Sequence, residues 1–315
     1  FYTFQTMSYT IDVYRNATPA RRSLLDVALF VAFFPQLVAG PIMRARELLP
    51  QMESRRSWER VDTSGALVLI LVGFFKKACI ADNLGGVYET FVAGPEKFDA
   101  FSSWLAVVTS SVIIYCDFSG YSDMAVGLAA LLGYRLCLNF RAPYFASNPR
   151  DLWERWHISF TTWLRDYVFD PLSQSHRSRL ALVGSLLFTF VLCGLWHGAE
   201  WKFVVFGLIH GAGLIIHHQW RRATSGWGVL PRIPRAVWVV ATFTWWSLVL
   251  VTIWAGAGLG DAVTVGRALV PGSETPQTLP LRLVGLFAVL AMLHWGAHRA
   301  RLGRWWRELP LWGFS

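Results

Sequence analysis

The chain has 315 residues, 54% of them hydrophobic and only 16% charged, against roughly 25% charged in ordinary soluble domains. That balance, with a mean hydropathy of +0.39, excludes a water-soluble globule. The net charge of +9 does not point to a nucleic-acid partner. The arginines cluster in short loops between apolar runs and in the tail, and no basic helix interleaved with stacking aromatics lies outside the apolar frame.

The chain opens on Phe1 with no signal-peptide pattern, and is expected to be part of a longer protein whose N-terminal spans precede it. Seven stretches, at 24–38, 65–75, 104–115, 180–195, 203–216, 236–255 and 281–293, are nearly free of charge. A bilayer-spanning helix needs about 20 mostly apolar residues, so several qualify once their uncharged flanks are counted. The shorter ones are expected to be re-entrant or half-spanning. In lipid the backbone must satisfy its own hydrogen bonds, so the fold class is an all-α polytopic membrane protein. No linker or internal repeat divides it, and 1–315 is read as one membrane-embedded domain. Lys76 and Lys77 interrupt one run, and Asp117 and Asp123 make 104–132 too polar for a plain span.

In the second half the basic clusters orient the chain. With 176–179 on the cytoplasmic side, 180–196 crosses outward and 203–216 returns to the arginines between Arg221 and Arg235. The 236–255 run leaves again, 256–280 forms an outer loop with Pro271, Gly272 and Pro276, and 281–293 comes back to the basic tail. Cys79, Cys116, Cys137 and Cys193 lack CxxC spacing and lie in or beside apolar runs, so they are read as small hydrophobic fillers.

Between residues 139 and 172 the texture changes: "NFRAPYFASNPRDLWERWHISFTTWLRDYVFDPL". Ser147 or Asn148 can cap a helix with Pro149 in its first turn. From Leu152 on, Trp153, Trp156, Phe160, Trp163 and Tyr167 recur at spacings of three and four, which predicts one helix face. Arg155, Arg165 and Asp166 point away from it and His157 falls at its edge. Such a helix lies at the membrane interface or lines a cavity.

Eight histidines carry most of the available chemistry. His176, His217 and His218 neighbour arginines and fit interfacial anchors. His294 and His298 share a helix face but have no third ligand, so no metal site is expected. His210, in "GLIHGAG", fits a helix–helix hydrogen bond made possible by small neighbours. His197, in "VLCGLWHGAEW", differs: it stands where two apolar runs meet, between Gly194 and Gly198. Ionisable groups at membrane depth are costly and mark functional sites by default. His157, after "WERW", is balanced between a functional and a structural role on spacing alone. "DFSGYSD" places Asp117 and Asp123 six apart around Gly120. Either they form an ion-coupling site in a broken helix, or they cap helices or pair with a nearby arginine. No GxSxG elbow, HxxxxD pattern, Walker A or GxGxxG loop occurs.

Several of these stretches together resemble the membrane-bound O-acyltransferase superfamily, in particular its bacterial alginate O-acetyltransferase-like branch. The likeness rests on "FPQLVAGPIMR" (34–44), "GFFKKACIADNL" (73–84), "YCDFSGYSDMAVGLAALLGY" (115–134), the 139–172 stretch and "GLWHGAEWKFVVFGLIHG" (194–211). It covers roughly residues 1–220 in order; the family's usual "PLGG" reads "PLSQSH" here. The resemblance implies a helical bundle around a transmembrane funnel, with amphipathic and re-entrant helices. It also implies a multi-pass location in the bacterial inner membrane. There an acyl group, expected to be acetyl, would pass from a cytoplasmic thioester (acetyl-CoA or an acyl carrier) to hydroxyls of an extracytoplasmic polysaccharide or cell-wall polymer. Transfer would be direct or through an SGNH-hydrolase-like partner. The family's hallmark histidine maps to His197 and its second functional histidine to His157. In a channel His197 would act as base, since an unperturbed imidazole pKa of about 6.5 suits neutral pH. His157 would stabilise the oxyanion or orient the substrate. Arg155, Trp156, Arg165 and Trp196 are candidate substrate contacts. An activated thioester requires no bound cofactor and no metal. The competing class is a transporter or flippase with His197, Asp117 and Asp123 as a proton relay.

Overall fold

In the computed structural model, the described residues are 2–37, 39–54, 59, 61–175, 178–224, 233–256, 258–272 and 277–299. Among them the regular elements are helices, with one isolated β-bridge between Phe98 and Gln277. Among the described residues five helices are long and apolar enough to cross a membrane: Thr63–Val92, Ala100–Leu131, Arg179–His197, Trp201–Ala223 and Arg235–Trp254. Leu24–Gln36 and Arg282–His294 are shorter apolar helices. His176, Arg177, Arg55, Arg56, Arg60, Arg232 and the tail beyond 299 lie outside the described residues, as does the side chain of His298.

The chain divides into two compact units whose segments interleave. The first comprises 1–87, 112–139 and 157–189; the second comprises 88–111, 140–156 and 190–315.

In the first unit, two expectations are corrected by one arrangement. Lys76 and Lys77 do not end a helix. The backbone widens into a π-helical stretch, Phe75–Ala81, and continues as Asp82–Val92. Nor is the helix carrying Asp117 and Asp123 broken: Ala100–Leu131 runs uninterrupted for 32 residues. The two helices approach at glycines. A Cβ on Gly120 would lie 2.6 Å from the carbonyl oxygen of Gly73, and one on Gly73 would meet that of Gly120. This approach brings Lys76 Nζ to 2.5 Å from Asp123 Oδ2 and Lys77 Nζ to 2.6 Å from Asp117 Oδ1. Lys77 also reaches Asp82 Oδ1 at 2.7 Å. Four charges on apolar helices are thus paired, which is how a membrane segment tolerates them. The pairing partners are lysines, not arginine, and no helix break offers an ion site.

Elsewhere in this unit Arg44 is buried, with its guanidinium 4.6 Å over the Tyr167 ring and Nη2 3.3 Å from Asp166 Oδ2. Trp163 is 2% exposed; its Nε1–H donates to the Phe4 carbonyl at 2.9 Å, and the two rings meet edge-on at 4.5 Å.

In the second unit, the end of the Arg179–His197 helix from Phe190 on and the helix Trp201–Ala223 also approach through glycine. A Cβ on Gly194 would collide with the Phe203 carbonyl oxygen, and one on Gly207 with that of Phe190. Small residues at the crossing let apolar helices pack by close van der Waals contact where lipid offers no hydrophobic drive. Ser111 donates to Ser247 at 2.8 Å, joining Ala100–Leu131 to Arg235–Trp254. Cys193 fills this interior and Cys116 that of the first unit, both buried.

Candidate functional site

The "SNPRD" start behaves as its residues dictate. Asn148 caps the short helix Pro149–Trp153 by accepting the Asp151 N–H at 2.9 Å, with Pro149 in the first turn. The single tryptophan-rich helix expected from Leu152 onward does not form. The chain leaves the helix after Trp153 and starts a new one at Ile158–Leu164, with His157 as the N-cap residue. A second π-helical stretch, Arg165–Phe169, follows. The aromatic face is therefore split: Trp153 and Trp156 belong to the second unit, and Phe160, Trp163 and Tyr167 to the first.

His157 is where the helix breaks, with φ 44° and ψ 52°. This left-handed conformation brings an L-residue's Cβ close to the following carbonyl and costs roughly 1–2 kcal/mol. Strain of this kind persists where surrounding bonds over-determine it. Asn139 supplies them. Its Oδ1 accepts from Ser159 Oγ at 2.9 Å and from the Ser159 N–H at 3.3 Å, and lies 3.0 Å from His157 Nδ1. Its Nδ2 donates to Ser122 Oγ at 3.2 Å, and its backbone carbonyl accepts the Ile158 N–H at 2.9 Å. Ser159 Oγ in turn accepts the Ile42 N–H at 2.9 Å. Asn139, Ser122, His157 and Ser159 are each 4% exposed or less. Phe118 meets the imidazole edge-on at 4.6 Å, and Phe160 packs at 4.9 Å.

This network determines the tautomer. A backbone N–H can only donate, so the atom it reaches on Asn139 is the oxygen, and His157 must donate to that oxygen from Nδ1. A neutral His157 then carries its lone pair on Nε2. That nitrogen can accept a proton or a hydrogen bond; it can donate to an oxyanion only as imidazolium. Sequence reasoning assigned Asn139, Ser122 and Ser159 no role, and no spacing rule links an asparagine to a histidine 18 residues on.

His197 is the last residue of its span, followed by a short connection to Trp201–Ala223. Trp196 lies 4.8 Å from its ring, Phe206 5.9 Å and Phe203 6.4 Å. A Cβ on Gly198 would strike the Phe203 ring, which would have to shift to admit any larger residue there. His197 and Trp196 are exposed in the chain, and a helix C-terminus favours the positive charge an imidazole acquires on taking a proton.

The other candidates fall into different settings. Arg155 is held by Asp151 Oδ1 at 2.5 Å and donates to the Arg141 carbonyl at 3.3 Å. Arg165 is exposed, with Nε and Nη2 on Asp166 Oδ1 at 2.9 and 2.8 Å. Trp156 is buried among Phe140, Tyr144 and Trp246, with centroids 5.0, 6.2 and 4.6 Å away. His210 makes no helix–helix hydrogen bond among the described residues: it is fully buried and neither ring nitrogen has a hydrogen-bond partner. His294 stacks on Phe145 at 5.2 Å.

The model of the membrane-bound O-acyltransferase family matches residues 10–254. A probable alginate O-acetylase of Azotobacter vinelandii is 42% identical over 223 residues, covering 70% of this chain and 44% of that protein. A peptidoglycan O-acetyltransferase of Helicobacter pylori is 32% identical over 297 residues, or 86% and 56% of the two chains. A teichoic acid D-alanyltransferase of Bacillus subtilis is 25% identical over 243 residues, or 73% and 61%. The chain thus spans about half the length of these relatives. The match takes in both histidine elements and all five apolar spans: this is a multi-pass membrane protein, and it belongs to the membrane-bound O-acyltransferase family.

Proposed function

We propose that the protein transfers an acyl group, acetyl in the simplest case, from a cytoplasmic thioester to hydroxyls of an extracytoplasmic polysaccharide or cell-wall polymer. The observation that carries this reading is the strained His157, held by Asn139 in the tautomer that leaves the Nε2 lone pair to accept a hydrogen bond from substrate. Building such a constellation into a buried interior serves chemistry better than packing. The relatives' names add the substrate class: alginate, peptidoglycan and teichoic acid are hydroxyl-bearing envelope or exported polymers.

In the proposed step a hydroxyl oxygen attacks the thioester carbonyl while His197 takes its proton at a ring nitrogen. The tetrahedral intermediate collapses, the C–S bond breaks, and the departing thiolate recovers the proton from His197. His157 Nε2 accepts a hydrogen bond from substrate and so orients it. This narrows the two roles the family suggests, because oxyanion stabilisation would require the imidazolium. Arg155 and Arg165 are each engaged by an aspartate; any contact with an anionic donor would add to those pairs. Trp196, beside His197, is better placed for substrate than the enclosed Trp156. We further propose an inner-membrane location and, where transfer is relayed, an SGNH-hydrolase-like partner.

The transporter reading is weaker, because Asp117 and Asp123 sit in ion pairs with Lys77 and Lys76 on unbroken helices. The full-length protein in sealed vesicles, given radiolabelled acetyl-CoA and an oligosaccharide acceptor, separates the classes. Acyl transfer consumes thioester and labels the acceptor; a transporter moves the acceptor with the thioester intact.

A further inference from the structure

His210 is 0% exposed and sits in a shell of aromatic rings. Phe206, Trp153, Trp245 and Trp246 have centroids 4.4, 5.0, 5.0 and 5.4 Å from the imidazole. Within this one cluster, four buried polar atoms have no hydrogen-bond partner among the described residues: both ring nitrogens of His210, Trp153 Nε1 and Trp246 Nε1. The two indoles are themselves 6.3 Å apart. Buried polar groups are nearly always hydrogen-bonded, and each exception calls for an explanation. A phenylalanine at position 210 would suit the ring shell and bring no unsatisfied polar atom of its own. An imidazole here carries a standing penalty unless something satisfies it.

We infer that His210, Trp153 and Trp246 form a buried seat for one hydroxyl oxygen. The donor and acceptor inventory points to that group. Two indoles offer N–H donors only, and a neutral imidazole offers one donor and one lone pair. A hydroxyl oxygen accepts from the two indole N–H groups with its two lone pairs and donates its own proton to the lone pair of the imidazole. A carboxylate or carbonyl has no proton to return, and a cation would face indole N–H groups. A hydroxyl can come from an ordered water or from the acceptor carbohydrate, whose C–H faces also suit flat rings. Phe206 touches the imidazoles of both His210 and His197, so a hydroxyl seated here is one ring away from the proposed base. The carbohydrate source rests on the acyl-transfer reading; the seat itself does not.

The test is a density map of the full protein in lipid nanodiscs, at a resolution that shows ordered water, with and without oligosaccharide acceptor. The seat predicts an oxygen within about 3.2 Å of a His210 ring nitrogen and of at least one indole Nε1, lost in His210→Phe. If the occupant is water, the peak persists with acceptor present and the acceptor KM of His210→Phe matches wild type. If it is the carbohydrate, the acceptor's hydroxyl takes the position and its KM rises about tenfold in the variant, the usual worth of one hydrogen bond. No oxygen within reach of His210 in either map overturns the seat, whether or not the protein proves to be an acyltransferase.

Discussion

Nδ1 of His157 lies 3.0 Å from Oδ1 of Asn139, and that oxygen also gathers both the hydroxyl and the backbone N–H of Ser159. One side chain therefore sets the ring's tautomer, its orientation and the start of the next helix. Asn139→Leu keeps the approximate volume and removes the acceptor. Each orphaned donor costs about 1–3 kcal/mol, so the variant should melt measurably lower. Its kcat should fall at least tenfold with a smaller change in donor KM. A kcat equal to wild type would show that the asparagine only braces the fold.

The left-handed backbone at His157 separates conformation from chemistry. Asn tolerates φ near +44° better than most residues, whereas a β-branched side chain there is severely strained. His157→Asn should stay closer to wild-type stability than His157→Val, with turnover lost in both. Trp163→Ala, by contrast, removes a buried ring and its bond to Phe4, for about 3–5 kcal/mol, and should lower folded yield first. Thermal unfolding and turnover measured on the three variants check this. An active, stable His157→Val protein would contradict both parts.

The Lys76–Asp123 pair predicts non-additivity. Removing either charge alone leaves its partner uncompensated on an apolar helix, a cost on the order of 2.5–3.5 kcal/mol at the centre of a span. Lys76→Met and Asp123→Leu should each express poorly, and the double variant should recover much of the yield. A loss in the double variant equal to the sum of the two single losses would mean the two residues do not act through one another.

Much of the fold is legible in the sequence because lipid imposes one rule, a long apolar helix, and composition reports it directly. The 180–195, 203–216 and 236–255 runs each became a span. The rule misled where charges were compensated at long range. Lys76, Lys77, Asp117 and Asp123 look like interruptions one at a time, and only the glycine approach at Gly73 and Gly120 makes them a paired set. The aromatic periodicity of 153–167 was equally local information. It cannot register that Asn139 captures His157 and breaks the helix midway. His197 and His157 are legible through their settings and the family likeness, while the roles of Asn139 and of the bare imidazole of His210 arise only from the folded chain.

The Gly194 crossing predicts a steric failure near the hallmark histidine. An added Cβ meets the Phe203 backbone carbonyl, which cannot swing aside as a flexible side chain would. Gly194→Ala should force the two spans apart and depress folded yield. Gly184→Ala, where a Cβ meets nothing within 4 Å, should be tolerated. Similar yields for the two would place the crossing elsewhere.

The most direct test of the account is the turnover of His197→Gln in the full-length protein, measured alongside its melting temperature and donor affinity. Glutamine keeps a hydrogen-bonding group but cannot take the hydroxyl proton. General-base contributions are typically about a hundredfold to ten-thousandfold. Because a base acts in the transition state, transfer should fall by that factor while folding and donor binding stay close to wild type. A well-folded His197→Gln protein that still transfers acyl groups at near the wild-type rate would contradict the mechanism.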